Sequence, residues 1–221
     1  MLTTTLSCAD LAEYVTSQAN ALFPDRRVPA GDLRRHVEQA LERTDHCFSR
    51  ISVKRFARDG AAFFDHLNTD QYAMFLYLLS NSVFRGGGDP ALAAKVYALN
   101  KALHGLDVFY EVALPEVFFF QHPVGTVLGR ATYGNYFAVY QRCSVGSNLD
   151  GDSPVFDPGV VMFGGSAVIG RCHVGANVWL SFGAQIMDRD VPAGSVAFGQ
   201  SPHDVFKPTA RRVTARFFGD A

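Results

Sequence analysis

The chain has 221 residues, 48% hydrophobic and 19% charged, with a net charge of −1. That composition supplies a sizeable core and excludes a disordered chain. The near-neutral balance argues against nucleic acid or an anionic membrane surface as a partner.

The first ten residues lack a basic region followed by an apolar core, so no secretory signal is expected. Ser7 followed by Asp10 resembles a capping box, and Leu11, Tyr14, Val15, Gln18 and Leu22 follow at helical spacing. Breaks at Phe23-Pro24-Asp25 and Pro29-Ala30-Gly31 precede a second helix, marked on one face by Leu33, Val37, Ala40 and Leu41. A third, shorter helix is predicted over Gly60 to Leu67. Asn68-Thr69-Asp70 then caps a fourth, Gln71 to Phe84, rich in aromatics. Its apolar stretch, Tyr72 to Leu79, is the longest in the chain and far too short to span a bilayer. Asp89 before Pro90 opens a fifth helix, and Gly105 closes it.

After Gly105 helical periodicity stops. Phe156, Met162, Val168, Val174, Leu180 and Ile186 stand six apart, as do Val127, Tyr133, Val139 and Val145. The residue four positions after a rung is usually small: Ala131, Cys143, Val160, Ser166, Cys172, Val178 and Ala184, with Phe137 the exception. A helix repeats near 3.6 and a strand at 2, so a period of six requires a hexapeptide repeat, the signature of a parallel β-helix. The two ladders are out of register, which places a protruding loop between Gly146 and Val155. A loop on a rigid scaffold is a common seat for a binding site. The predicted organisation is α+β: a helical domain over 1–106, a β-helix over 107–202 and a basic tail over 203–221.

Cys8, Cys47, Cys143 and Cys172 form no CxxC pair and no metal-ligand spacing, which fits a reducing, cytoplasmic setting. Cys143 and Cys172 both fill small positions of their hexapeptides, so packing explains them better than nucleophilic chemistry. His122 and His173 do not supply a three-histidine zinc pattern, and no metal is expected.

The run Phe118-Phe119-Phe120-Gln121-His122-Pro123-Val124-Gly125, within a longer match from Leu114 to Gly146, resembles the serine acetyltransferase family. The resemblance covers roughly Asp107 to Pro202. It extends more loosely over the helical half, where Asp70 to Ser80 is similar to serine-acetyltransferase-like proteins of bacterial biosynthetic loci. It implies a left-handed hand for the β-helix, acetyl-CoA as donor, and a homotrimer whose helical domains can pair trimers. It also implies that His122 is the catalytic base, with Asp107, fifteen residues earlier, as its orienter. A neutral imidazole can take the proton of a serine hydroxyl as it attacks a thioester, and a carboxylate on the other ring nitrogen stabilises the imidazolium. Gly146 and Ser147 match the turn that supplies oxyanion-binding N–H groups. Gly164, Gly165, Ser166, Gly183 and Ala184 match the turns along which the pantetheine arm lies. Lys207, Arg211 and Arg212 are further candidates for CoA phosphates, set against a plainly solvated tail.

The sequence departs from the family on the acceptor side. Gln121 stands where the family has Asp before the histidine, and Asp152-Ser153 stands where it has Arg-His before Pro154. The family Arg helps hold the serine carboxylate and the Asp its amine, so Asp152 puts like charge where a carboxylate should sit. Arg142, Arg130 and Arg171 are candidate compensating cations, and Asp70 a candidate amine partner. The expected acceptor is serine or a serine-like small amino alcohol. The alternatives are a sugar or amino-sugar acyltransferase and a non-catalytic subunit.

Overall fold

The computed structural model describes residues 1–219. The helical half contains α1 (Cys8–Leu22), α2 (Ala30–Phe48), α3 (Thr69–Arg85) and α4 (Pro90–His104). The expected caps are present. The Asp10 N–H donates to Ser7 Oγ at 3.2 Å, and the Ala91 N–H donates to Asp89 Oδ1 at 2.9 Å. Gly105 adopts φ 60°, a left-handed C-terminal stop that costs glycine nothing. Residues Asp70 to Val83 of α3 are all buried, so the aromatic richness of this segment reflects a helix packed on every side.

The helix predicted over Gly60 to Leu67 is not formed. Ala57–Arg58 and Ala61–Phe64 pair antiparallel as a hairpin, and Thr3–Thr4 adds a parallel edge. Asp59 and Gly60 have φ of 51° and 77°, the left-handed pair that a two-residue hairpin turn requires. A turn of that kind cannot lie inside a helix.

From Asp107 onward the chain winds a left-handed β-helix with three parallel faces. Met162 pairs with Leu180, Val168 with Ile186 and Phe156 with Val174, each three hexapeptides along, so one coil is three rungs. Rung residues stack inward at every turn, and all six from Phe156 to Ile186 are buried. Across the register slip, Val145 pairs with Val168 and Tyr133 with Phe156, which spans five residues more than one coil. The extra residues form the loop between strands Ser144–Gly146 and Val155–Phe156. That loop is short and tied down. The Asn148 N–H donates to the Asp152 carbonyl at 3.1 Å, and Asn148 Nδ2 donates to Asp188 Oδ1 on the neighbouring coil at 2.8 Å.

The segment expected as a tail packs against both halves. Val205–Pro208 pairs antiparallel with Ser195–Phe198, and α5 (Val213–Phe217) follows. Phe217 stacks on Phe119, ring centroids 5.9 Å apart, and meets Trp179 at 6.0 Å. The Phe217 carbonyl accepts the Ser52 N–H at 3.0 Å, and Ile51 bridges Phe218, so the segment fastens the coil to the helical half. Lys207, Arg211 and Arg212 nevertheless remain exposed. The last two residues of the segment expected over 203–221 lie outside the described residues. One apolar cluster runs through helices, coil and α5.

Candidate active site

His122 ends the strand Phe118–Phe120 and its extension through Gln121, whose N–H donates to the Val139 carbonyl at 2.9 Å. It then turns the chain with φ 50°, an uncommon conformation for a residue with a Cβ. Asp70, at the start of α3, secures that turn: its Oδ1 accepts the His122 backbone N–H at 2.9 Å. The same oxygen lies 3.8 Å from His122 Nδ1. The imidazole side chain is 72% exposed, while Asp70 is only 6% exposed.

Around this pair lies an open cleft of about 320 Å³ lined by Arg55, Leu67, Asn68, Thr69, Asp70, Gln121 and His122. Larger cavities occur in the helical half, one of about 680 Å³ around Lys95 and one of about 420 Å³ around Arg43. Neither contains His122, and chemistry rather than size selects the smaller cleft. Arg55 Nη2 donates to Asp70 Oδ2 and to Gln121 Oε1, each at 2.9 Å. Its guanidinium carbon sits 5.4 Å from the Phe56 ring and 5.7 Å from the Phe119 ring. A 3₁₀ turn over Lys54–Phe56 holds Arg55 there, and Gln71 Nε2 donates to the Arg55 carbonyl at 2.7 Å.

Asp107, expected as the orienter of His122, is engaged elsewhere. Its carboxylate accepts from Tyr97 Oη at 2.6 Å and Lys101 Nζ at 2.5 Å, both on α4. Partial burial alone would raise the Asp107 pKa, but the bonds from Lys101 and Tyr97 outweigh it and hold the carboxyl below its ordinary value. Its backbone still lies beside the turn of His122. The Asp107 N–H donates to the Thr126 carbonyl at 2.9 Å, and the Thr126 N–H to that of Pro123 at 3.1 Å.

The turn of His122 heads a column of coil corners. The Arg142 N–H donates to the Val124 carbonyl at 3.0 Å, Gly165 to Gln141 at 2.9 Å and Gly183 to Gly164 at 3.1 Å. His122, Gly164, Gly165 and Gly183 therefore share one edge of the prism. A Cβ on Gly164 would sit 2.9 Å from both Gln141 Nε2 and Phe182 Cε2, so any larger residue there must displace those two side chains. Ser166 and Ala184, expected at the donor slot, are fully buried with side chains inside the coil, because the small position of each hexapeptide faces inward. Arg142, expected on the acceptor side, lies instead on the corner column, 5.8 Å from the Phe182 ring. Arg130 lines the cleft beside Asp107, and the Arg171 N–H donates to Asp188.

In the loop, Ser147 and Ser153 hydroxyls meet at 2.8 Å, and Asp152 bonds to Asn148. No hydrogen bond among the described residues joins Asp152 or Ser153 to His122. The cation at the cleft is Arg55, which sequence reasoning missed. It is 66 residues from Gln121, and no local pattern signals such a contact. Burial pushes the Cys143 and Cys172 thiols up, consistent with packing roles. Among the described residues no group of three or more His, Cys, Asp or Glu side chains is placed to hold a metal ion.

No family model matches the chain. A putative serine acetyltransferase of Schizosaccharomyces pombe is 25% identical over 138 residues, 61% of this chain and 50% of that protein. A serine acetyltransferase of Synechococcus elongatus is 25% identical over 126 residues, 55% of this chain and 51% of that protein. The crystal structure of the Neisseria gonorrhoeae serine acetyltransferase superposes with a TM-score of 0.72 at 18% identity, covering 93% of this chain and 80% of that one. A serine acetyltransferase solved as a complex with CoA superposes with a TM-score of 0.67 at 16% identity, covering 91% and 85%. At these identities the structures establish the serine acetyltransferase fold. The chain spans about half the length of the curated relatives it matches.

Proposed function

We propose that the protein is an acetyl-CoA-dependent O-acetyltransferase acting on the hydroxyl of serine or a serine-like small amino alcohol. The observation that carries this reading is the corner column: one edge of the coil leads from the exposed His122 imidazole to the glycine corners at Gly164, Gly165 and Gly183. An extended pantetheine arm fits along such an edge, and the CoA complex of a structural neighbour supports CoA as the donor.

In this reading the acceptor hydroxyl stands against His122. The imidazole takes the hydroxyl proton as the oxygen bonds to the thioester carbonyl carbon. The carbonyl oxygen becomes an oxyanion, for which the backbone N–H groups of Gly146 and Ser147 are the proposed donors. Collapse breaks the carbon–sulfur bond, and the imidazolium returns its proton to the leaving thiolate. The products are the acetyl ester and free CoA thiol. Asp107 is the proposed orienter of His122. Lys101 is half exposed, so its pair with Asp107 contributes only about 0–1 kcal/mol, and the Tyr97 hydroxyl is the other bond the carboxylate gives up in this role. A homotrimer in the cytoplasm is the proposed state.

The test is release of free thiol from acetyl-CoA against serine, homoserine, O-phosphoserine, amino sugars and simple amines. Turnover with a small hydroxy amino acid supports the reading. Turnover confined to sugars, or absent throughout, removes it.

A further inference from the structure

We infer that Arg55 is the residue that binds the acceptor's carboxylate, and that the cleft does not require a free ammonium group. The inference rests on the reading of His122 as an acetyl-transfer base.

The charges at the cleft decide it. Among the described residues Asp70 is the one acid that approaches His122, and both its oxygens are engaged: Oδ1 by the His122 N–H and Oδ2 by Arg55. A buried carboxylate so occupied is a poor receptor for a substrate ammonium. Gln121 is neutral and also turns its amide oxygen to Arg55. The pair of Asp70 and Arg55 sums to zero, and a neutral imidazole adds nothing, so the cleft offers no excess negative charge to a cation.

Arg55, by contrast, has donors to spare. Its two internal bonds both leave from Nη2. Among the described residues Nη1 and Nε make no hydrogen bond, and the side chain is 33% exposed at the cleft. A planar guanidinium with three open N–H groups suits a carboxylate. Phe56 and Phe119 flank it, and Phe56 is fully buried, so its position is fixed before any acceptor arrives.

The test measures thiol release at saturating acetyl-CoA with three acceptors: serine, glycerate, which keeps the carboxylate but has no ammonium, and serinamide, which has the ammonium but no carboxylate. Glycerate is expected to be acetylated with a KM within about tenfold of serine, and serinamide to be much poorer. Arg55→Met should raise KM for serine and glycerate about ten- to a hundredfold, the loss of a charged hydrogen-bonded contact, while KM for serinamide does not rise, because Asp70 loses its neutralising partner. Arg55→Lys should fall between, because charge remains but the fork is lost. Gln121→Glu adds a second acid to Arg55 and should shift preference toward serinamide. Equal KM increases for all three acceptors in Arg55→Met, or serinamide preferred by the unaltered enzyme, would overturn the inference. If no acceptor is turned over, the acetyl-transfer reading fails separately, and calorimetry still decides this one. Glycerate binding lost in Arg55→Met supports it; glycerate binding unchanged, or absent from the unaltered protein, overturns it.

Discussion

Asp70 Oδ1 accepts the backbone N–H of His122 at 2.9 Å, joining the first turn of a helix to a left-handed residue on the β-helix. One carboxylate thus holds the candidate base in its uncommon backbone conformation and, through its other oxygen, fixes Arg55. Replacing Asp70 with Ala leaves the His122 N–H without its acceptor and Arg55 with Gln121 alone. The expected cost is about 1–3 kcal/mol, read as a lower denaturant midpoint. Asp70→Asn should cost less, because its amide oxygen still accepts the His122 N–H. Equal loss in the two variants would contradict this division of labour.

Asp107 is the second acid to examine. Asp107→Asn keeps the shape and removes the charge that would stabilise an imidazolium. A fall in kcat of about 10–100-fold is expected with little change in KM, as general-base assistance weakens. Unaltered kcat would confine Asp107 to its contacts with Tyr97 and Lys101.

Phe217 links three parts of the molecule, stacking on Phe119 and meeting Trp179 at a tilt while its carbonyl accepts the Ser52 N–H. Phe217→Ala should lower stability by about 3–5 kcal/mol, the usual cost of emptying a buried aromatic site. Urea unfolding monitored at the single tryptophan would report it; a loss below about 1 kcal/mol would mean the C-terminal segment is not part of the core.

Acid should destabilise the protein through His104. Burial lowers its pKa below the ordinary 6.5, and its ring bonds to Asn100 Oδ1 at 2.8 Å. The unfolded chain therefore binds this proton more readily than the folded one. Stability is complete above about pH 6.5 and is lost as pH falls through the lower folded-state value. His104→Gln should flatten the dependence of Tm on pH in that window. An unchanged slope would assign it to other groups.

The hexapeptide ladder was legible because stacking selects an apolar residue at every sixth position, and the slip after Val145 located the inserted loop. The hairpin at Asp59-Gly60 was also legible in principle, because Asp-Gly is a two-residue turn signal, whereas the expected helix began at Gly60 itself. The C-terminal segment was misread because its exposed Lys and Arg residues obscured Phe217 and Phe218. Arg55 was beyond reach. Its partners, Asp70 and Gln121, meet it only because α3 and the Phe118–Phe120 strand converge in space. The departures at Gln121 and Asp152 pointed to the expected acceptor side, but not to Arg55, which the structure places beside Gln121.

The most direct measurement is acetyl-CoA thiol release, with serine as acceptor, by His122→Asn. Asn tolerates the left-handed backbone of this position, so the fold is kept while the base is removed. A fall in kcat of at least about 100-fold, with Tm close to that of the unaltered protein, is the expected result. Turnover retained at the level of the unaltered enzyme would contradict His122 as the base.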